Sequence, residues 1–175
     1  MTSSHAEALR NNTGHSVNVA VWGDQGPIVV SWAYGTRPLP LTVRVGATLP
    51  LLSSSVGQIF LAYLPASLTR ASCDRESATT PGWDDRRVLA AQASIRDQGY
   101  AVTSGGVIPG IVSVAAPVFA AGDPMPLAVS VVLPAIESTG EHLEELTQQL
   151  LDTATAASTD LGYDGDNRID DVVGQ

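Results

Sequence analysis

Residues 111–133 read IVSVAAPVFAAGDPMPLAVSVVL, which is two apolar runs separated by a short turn sequence. The first run extends from Ile111 to Phe119, Gly122-Asp123-Pro124 reverses the chain, and the second run extends from Pro126 to Leu133. Nearly continuous apolar runs of this length are typical of buried strands. The segment therefore predicts two adjacent strands at the centre of a sheet.

Other strands are predicted earlier in the chain. Residues 17–21 alternate valine with asparagine and alanine, and the glycine-flanked turn 23–26 then leads into the apolar run 27–32. This pattern is typical of a β-hairpin. Residues 41–45 predict a further extended stretch, which ends at a glycine.

Three helices are predicted from capping residues and apolar spacing. The serines 53–55 are an N-cap signal for a helix that Pro65 ends. Residues 84–99 have an acidic pair at the start of a helical pattern and a glycine at its end. Residues 138–161 place an apolar residue at every third or fourth position. Residues 66–83 show no periodicity and are interpreted as a surface connection.

The order of these elements predicts the fold class. Strands and helices do not alternate regularly, which favours an α+β fold built on a mostly antiparallel sheet. At 175 residues the chain has the length of one domain with its own core. We assign that domain to residues 16–162, preceded by a tail or linker-helix remnant over 1–15 and followed by an acidic C-terminal tail over 163–175.

The composition excludes several classes of protein. The net charge is −9 and no lysine is present, so these residues are not expected to bind nucleic acid directly. No apolar run reaches the ~18 residues of a membrane-spanning helix, and the N-terminus lacks the basic and apolar parts of a signal peptide. We therefore expect a cytoplasmic protein that does not associate with membranes.

Residues suited to catalysis are few. His5, His15 and His142 share no local motif with a nucleophile, and each is interpreted as an isolated surface histidine. Cys73 is the only cysteine, which excludes disulfides within the chain, and it is interpreted as an incidental thiol in a surface loop. No nucleophile elbow, zinc-protease pair or Walker loop occurs, so neither an enzyme nor a bound metal or cofactor is predicted.

The start of the first predicted helix is a candidate anion site. Its first backbone N–H groups lack intrahelical partners and carry partial positive charge from the helix dipole. Such an end can hold a carboxylate without lysine or arginine, although the serines 53–55 could equally serve only to cap their own helix. Six further residues fit either the walls of a small-molecule pocket or plain sheet core: Leu49, Val56, Ile111, Ser113, Ser130 and Val132.

Four segments resemble a family of bacterial transcription factors. Residues 45–62, VGATLPLLSSSVGQIFLA, are similar to the VGxxLPLHxSAxGKAxLA segment of the isocitrate lyase regulator (IclR) family. Residues 95–101, 109–119 and 128–134 are similar to its IRxxGYA, xGxxxIAAPVF and AxSVSGP segments. Because four segments agree in order and spacing, the resemblance to this family's effector-binding domain is specific, and it covers residues 17–161.

The resemblance implies a GAF-like domain, in which a curved antiparallel sheet has an effector cavity on one side and helices on the other. Members of the family bind small carboxylic acids or aromatic metabolites and thereby change how a separate winged helix-turn-helix domain engages operator DNA. Carried over by position, Ser55 and Val56 would offer N–H groups to a carboxylate, and Ser113 and Ser130 would offer hydroxyls. The complete implied lining is Leu41, Leu49, Ser55, Val56, Ile111, Ser113, Ser130 and Val132.

The sequence departs from the family pattern at four places. Leu52 replaces the usual histidine and Gln58 the usual lysine. Val132 replaces the second serine of SVS, and Gly105-Gly106 replaces an acidic pair. These changes predict a more apolar and less acidic pocket, suited to a larger, partly hydrophobic or aromatic effector. Operator DNA would be contacted only through a winged helix-turn-helix domain, which these residues do not contain.

Three functions stay open at this point. The leading interpretation is an effector-sensing domain that binds an organic or aromatic acid and forms a homodimer or tetramer. A GAF-like enzyme would need polar or thiol groups clustered in its cavity. A purely structural dimerisation module would have its cavity filled by its own side chains, so the volume of the cavity separates the first interpretation from the third.

Overall fold

The computed structural model describes residues 2–39 and 43–165, with only the backbone described at 124 and 125. Within these residues the chain forms five α-helices and five β-strands, and a short 3-10 helix precedes α5. Their bounds are α1 Thr2–Thr13, β1 Ser16–Gly23, β2 Gly26–Ala33, α2 Ser55–Tyr63, α3 Ala66–Ser77, α4 Asp85–Gln98, β3 Ala101–Ser104, β4 Ile111–Ala120, β5 Asp123–Pro134, the 3-10 helix Ala135–Glu137, and α5 Gly140–Asp160.

The described strands form one open antiparallel sheet in the order β2-β1-β5-β4-β3. β4 and β5 pair from Ile111↔Pro134 to Ala120↔Asp123, which confirms the predicted central hairpin. β1 and β2 form the second predicted hairpin, and β1 joins the sheet by pairing with β5. The α+β fold class predicted from the sequence is therefore confirmed.

Successive residues of each strand face opposite sides of the sheet, and each side is covered by helices. On one side, here called the α5 face, valines of β1, β4 and β5 pack in a core that includes α1 and α5. On the other, here called the α2 face, Ala20, Ala115 and Ala128 pack in a core that includes α2. α3 and α4 contact α2 in turn. The resemblance implied helices on one side only, so this detail differs from expectation.

Local capping fixes the starts of two predicted helices. The Ser54 hydroxyl accepts a hydrogen bond from Gly57 N–H at 2.8 Å at the start of α2. The Asp84 carboxylate accepts one from Arg87 N–H at 2.8 Å at the start of α4. Gly99 then ends α4 in the left-handed conformation, with φ 83°. These contacts lie within a few residues of one another, which is why the sequence predicts them.

Two helices occupy segments for which the sequence predicted either a surface connection or a tail or linker-helix remnant. The prediction of a surface connection over 66–83 was wrong, because α3 occupies most of that segment. Its buried residues Thr69, Ser72 and Cys73 are small or polar, so no apolar periodicity marks it. α1 occupies the segment assigned to a tail or linker-helix remnant, and it packs against β1 and α5. The core of the domain therefore includes residues that precede Ser16.

The predicted strand over 41–45 is not found in the part of it that the structure describes. Residues 43–49 contain only an isolated bridge, Ile28↔Thr48. The segment is nevertheless attached to β2, because Val29 N–H donates to Ala47 C=O at 3.0 Å and Gly46 N–H donates to Val29 C=O at 2.7 Å. It therefore runs beside the edge of the sheet without becoming a regular strand.

β4 extends beyond the end of its pairing with β3. The pairing of these strands runs only from Ala101↔Ala115 to Ser104↔Val112, so Pro117 and Phe119 lie at an edge. Phe119 N–H donates instead to the Ser158 hydroxyl of α5 at 3.0 Å. Among the described residues, this end of β4 is therefore held by a helix and not by another strand.

The predictions for Cys73 and for the three histidines also need correction. Cys73 is buried in α3, where burial raises the pKa of its thiol, so it is not a surface-loop thiol. His15 is only 2% exposed, and its Nε2 lies 3.1 Å from Nε2 of His142. His5 Nε2 lies 2.8 Å from the Asp160 carboxylate, so none of the three histidines is isolated.

The C-terminal helix agrees with its prediction. Leu146, Leu150, Ala154 and Ala157 are buried along α5. The predicted acidic tail over 163–175 lies outside the described residues from 166 onward. Among the helices that the structure describes, none is long and apolar enough to cross a membrane.

Candidate functional site

A cavity lies on the α2 face, between the sheet, the start of α2 and the glycine-rich segment after β3. Seven of the eight residues predicted for the site line it, and the eighth, Leu41, lies outside the described residues. The lining consists of Asn18, Trp32, Val43, Leu49, Ser54, Ser55, Val56, Thr103, Gly106, Val107, Ile108, Ile111, Ser113, Ser130 and Val132.

Strand register brings these side chains together from distant parts of the sequence. Ser113 pairs with Val132 on one side and with Thr103 on the other. Asn18 pairs with Ser130 and with Trp32. Residues directly opposite one another in a sheet project to the same face. Two rows of side chains, one from each set of pairs, therefore form the floor of the cavity.

The start of α2 forms one end of the cavity, here called the α2 end. Ser55 and Val56 are the first two residues of α2, so their N–H groups have no intrahelical acceptor and lie at the positive end of the helix dipole. The Ser55 and Ser113 hydroxyls are joined by a hydrogen bond of 2.7 Å. Backbone N–H groups and hydroxyls are thus concentrated at a place where an anion would be stabilised.

Asn18, Ser130 and Trp32 form a second polar group in the cavity, here called the polar row. Among the described residues, Asn18 Oδ1, Ser130 Oγ and Trp32 Nε1 are buried and have no hydrogen-bond partner. Ser130 is 0% exposed and Asn18 is 3% exposed. A buried polar atom without a partner costs about 1–3 kcal/mol. Three such atoms in adjacent register positions mark a place where a water molecule or a ligand would be stabilised.

The donor and acceptor character of the polar row defines what could satisfy it. The Trp32 indole N–H only donates, the Asn18 amide oxygen only accepts, and the Ser130 hydroxyl does both. A group that both donates and accepts hydrogen bonds would satisfy this set. A hydroxyl is the smallest such group on an organic molecule.

The glycine-rich wall of the cavity is set by a close backbone contact. A Cβ atom added to Gly106 would lie 1.8 Å from the backbone oxygen of Ser53. Glycine is required here because no side chain fits between the two segments. The replacement of an acidic pair by Gly105-Gly106 predicts a less acidic pocket, and the close approach to Ser53 adds a steric reason for the second glycine.

The volume of the cavity is about 50 Å³. A buried water requires roughly 10–15 Å³ on this scale, so the cavity has room for about four water molecules or a small acid. Cavities that accept benzene are larger, on the order of 150 Å³. The larger or aromatic effector predicted from the sequence therefore requires the walls to move apart from their positions here.

The described lining contains no charged side chain. Cys73 does not line the cavity either. Among residues 2–39 and 43–165, no three His, Cys, Asp or Glu side chains are grouped as around a metal ion. Binding in this cavity would therefore rest on the helix dipole, N–H groups, hydroxyls and apolar contact.

Sequence reasoning missed Asn18 and Trp32 as lining residues. Val17 and Val19 indicate one buried face of β1, but they do not show that the opposite face, with Asn18, is buried as well. Trp32 and Trp22 are distinguished only by the structure, because Trp22 packs against Phe60 with ring centroids 5.7 Å apart. A polar residue inside a strand covered on both sides is the signal that would have found Asn18.

These features define an α+β domain with an uncharged, partly polar cavity at the start of a helix, and comparisons place it in a family. Residues 1–159 match the family described as bacterial transcriptional regulator IclR C-terminal. The chain belongs to the IclR family of bacterial transcriptional regulators and corresponds to their C-terminal domain. The match includes α1, in agreement with the packing of that helix.

Individual relatives agree with this assignment. The chain is 30% identical over 164 residues to the glycerol operon regulatory protein of Streptomyces coelicolor, covering 88% of this chain and 62% of that protein. Pseudomonas aeruginosa HmgR superimposes with a TM-score of 0.83 at 32% identity, covering 94% of this chain and 66% of that one. Thermotoga maritima IclR superimposes with a TM-score of 0.82 at 25% identity, covering 92% and 67%. The chain therefore spans about two thirds of these proteins or slightly less.

Proposed function

We propose that this chain is a non-catalytic effector-binding and oligomerisation domain that takes a small organic acid. The observation that carries the proposal is the polar row, whose three buried polar atoms lack partners beside the α2 end. A ligand that formed hydrogen bonds with both the polar row and the α2 end would recover the free energy that these unpaired groups cost. The uncharged lining offers no general acid or base, and Cys73 lies elsewhere, so the lining does not favour a GAF-like enzyme.

A carboxylate would occupy the α2 end. Ser55 and Val56 N–H would donate to it, and the Ser113 hydroxyl would turn from Ser55 to donate as well. A second polar group on the ligand, such as a hydroxyl, would meet the polar row. The carbon atoms between them would contact Leu49, Ile111 and Val132. The ligand class is therefore a short hydroxy acid, with aromatic acids requiring a wider cavity.

The ligand would act by shifting populations of subunit arrangements. Binding that favours one arrangement over another changes the equilibrium between them by the difference in affinity. We propose that the domain forms a homodimer or tetramer and that an attached winged helix-turn-helix domain reads operator DNA in the bacterial cytoplasm. α1 is the element nearest the N-terminus, and its packing on β1 and α5 connects that end of the chain to the core.

A structural dimerisation module is the second candidate function. The small volume of the cavity, about 50 Å³, favours it, because side chains already occupy most of the space. The polar row argues against it, since a purely structural core would have apolar residues at those three positions. The two functions differ in whether any acid stabilises the domain.

Thermal unfolding in the presence of matched acids tests the proposal. Lactate and propionate differ by one hydroxyl, as do 4-hydroxybenzoate and benzoate. At a hundred times its dissociation constant, a ligand adds about 2.7 kcal/mol, which raises the melting temperature by roughly 5–10 °C in a domain of this size. We expect lactate to give this rise, propionate to give less, and the aromatic acids to act only if the cavity widens.

Ser55 provides the control variants. Proline is tolerated at the first position of a helix, and Ser54 already has the extended backbone that precedes proline, with φ −102° and ψ 145°. Ser55→Pro removes one N–H and the hydroxyl, whereas Ser55→Ala removes the hydroxyl alone. The shift should persist in part in Ser55→Ala and disappear in Ser55→Pro. If no acid raises the melting temperature of the unmodified chain, the structural module becomes the better function.

A further inference from the structure

Glu76, near the end of α3, reaches the chain that leads into α2. Its carboxylate accepts a hydrogen bond from Leu51 N–H at 2.7 Å and another from Leu52 N–H at 2.9 Å. A carboxylate in the last turn of a helix is unfavourable for its own helix, because that end of the dipole is negative. The contact with Leu51 and Leu52 gives Glu76 a role outside α3.

The segment 50–53 is held on its other sides by α2 itself and by the cavity wall. The Ser54 hydroxyl donates to Pro50 C=O at 2.5 Å, and the Gln58 side-chain amide donates to Leu52 C=O at 2.8 Å. A Cβ on Gly57 would lie 2.1 Å from the Pro50 oxygen. Segment and helix are therefore packed as one unit, to which Glu76 adds a charged contact from a different element.

We propose that Glu76 is a positioning residue for the cavity. By accepting hydrogen bonds from Leu51 and Leu52 N–H, it sets the direction of the N–H groups of Ser55 and Val56. Glu76 is not among the residues that line the cavity, so it acts through the segment 50–53 without touching a ligand. This inference rests on the proposed function of the α2 end as a carboxylate site.

The physical consequence of losing the carboxylate is specific. Leu51 and Leu52 N–H would lose their acceptor and turn toward water, and the first turn of α2 would follow because it is packed on the same segment. Glu76→Gln keeps the size of the side chain and one acceptor oxygen, but it presents an NH₂ group to the second N–H. This substitution therefore breaks the paired contact with the least change in shape.

Amide hydrogen exchange in the ligand-free domain tests the positioning role directly. The reporters are Leu51 and Leu52, together with Gly57 and Gln58, whose N–H groups bond to the Ser54 hydroxyl and C=O in the first turn of α2. In Glu76→Gln we expect exchange about tenfold faster at these amides, from the loss of a hydrogen bond to a charged acceptor.

Asp74→Asn is the matched control. Asp74 lies in the same helix, is exposed, and pairs with Arg70 at 3.0 Å, so the variant removes the same charge without touching segment 50–53. Its exchange rates should stay within about twofold of the unmodified chain, as expected for a surface pair. Equal exchange at Gly57 and Gln58 in Glu76→Gln and Asp74→Asn would overturn the positioning role.

Lactate titration by calorimetry supplies the second readout. Glu76→Gln should weaken lactate binding about tenfold, while Asp74→Asn should leave it unchanged. Faster exchange with an unchanged lactate affinity would reduce Glu76 to a purely structural residue and so overturn the inference. If lactate binds to none of the proteins, the proposed ligand is wrong and the exchange measurement alone decides the role of Glu76.

Gln58→Ala tests the same segment independently, in case Glu76→Gln fails to fold. It removes the amide that donates to Leu52 C=O and leaves the carboxylate contact in place. We expect a smaller acceleration of exchange at the same amides. No change at Gly57 in this variant would contradict the view that segment and helix move as one unit.

Discussion

The two faces of the sheet are built from alternate residues of the same strands, yet they differ in chemistry. The α5 face of β1, β4 and β5 buries Val17, Val114 and Val131, each 0% exposed, against helices. The α2 face of those strands carries Asn18, Ser113 and Ser130 around a cavity. The strand residues of the first face are apolar, whereas three polar atoms of the polar row on the second are buried and have no hydrogen-bond partner among the described residues. Both faces contribute apolar core, since Leu51, Leu52 and Phe60 are buried on the second, but only the second has strand residues suited to a ligand.

Removal of a core side chain on the α5 face should give the largest of the stability losses predicted here. Leu150 is 0% exposed in α5, so Leu150→Ala should lower the free energy of unfolding by about 3 kcal/mol, from lost burial and the cavity left behind. Urea unfolding measures this loss. Leu89→Ala is the control, because Leu89 is 66% exposed and should change stability by no more than about 0.5 kcal/mol. Equal losses in the two variants would contradict a core centred on α5.

Substitutions at two adjacent residues of β5 should change the free energy of unfolding in opposite directions. Val131 faces α5, so Val131→Thr buries a hydroxyl among apolar groups and should lower stability by roughly 1–3 kcal/mol. Ser130 belongs to the polar row, so Ser130→Ala removes an unpaired hydroxyl and should raise the stability of the ligand-free domain by up to about 1 kcal/mol. Both values come from urea unfolding. A loss of stability in Ser130→Ala would mean that its hydroxyl already has a partner.

His15 and His142 provide a smaller, pH-dependent test near the α5 face. Burial, and then the positive charge of Arg37, lower the pKa of His15, while Glu137 opposes this and His142 adds to it. The native state therefore holds His15 neutral, while the unfolded chain protonates near its ordinary value of about 6.5. The contribution of His15 to stability is fully present above about pH 6.5 and is lost as the pH falls toward the lowered native pKa.

Urea unfolding at about pH 7.5 and pH 5 measures this effect. In His15→Leu, the loss of stability between the two pH values should be smaller than in the unmodified chain. His5→Gln is the control, because His5 pairs with Asp160 at the other end of α5 and its removal should leave the contribution of His15 in place. An unchanged acid loss in His15→Leu would contradict the assignment to this histidine.

Features fixed by nearby residues were predicted correctly from the sequence. The central hairpin and the caps at Ser54, Asp84 and Gly99 depend on contacts within a few positions. α3 was missed because it buries small and polar side chains such as Thr69 against the rest of the molecule. Its stability comes from tertiary packing, which leaves no apolar periodicity in the sequence.

The residues of the candidate site likewise divide into those that local patterns predict and those that depend on tertiary structure. Ser55 and Val56 follow from the capping pattern and the family resemblance, and the structure places them at the cavity. Asn18 and Trp32 join the site only because β1 lies between β2 and β5, and strand order is not encoded in the local pattern of β1. The hydrogen bonds from Leu51 and Leu52 N–H to Glu76 join residues about 25 positions apart, and local sequence patterns do not reveal contacts at that separation.

The end of β4 that extends beyond β3 has a consequence for aggregation. An unpaired strand edge is a template on which strands of other molecules can add. Pro117 has no N–H to offer such a strand, and the N–H of Phe119 is already bound by Ser158. Two successive outward positions of this edge therefore present no donor to an incoming chain. A proline and a helix hydroxyl, neither of which lines the cavity, thus remove two of the donors on which an intermolecular sheet would depend at this edge.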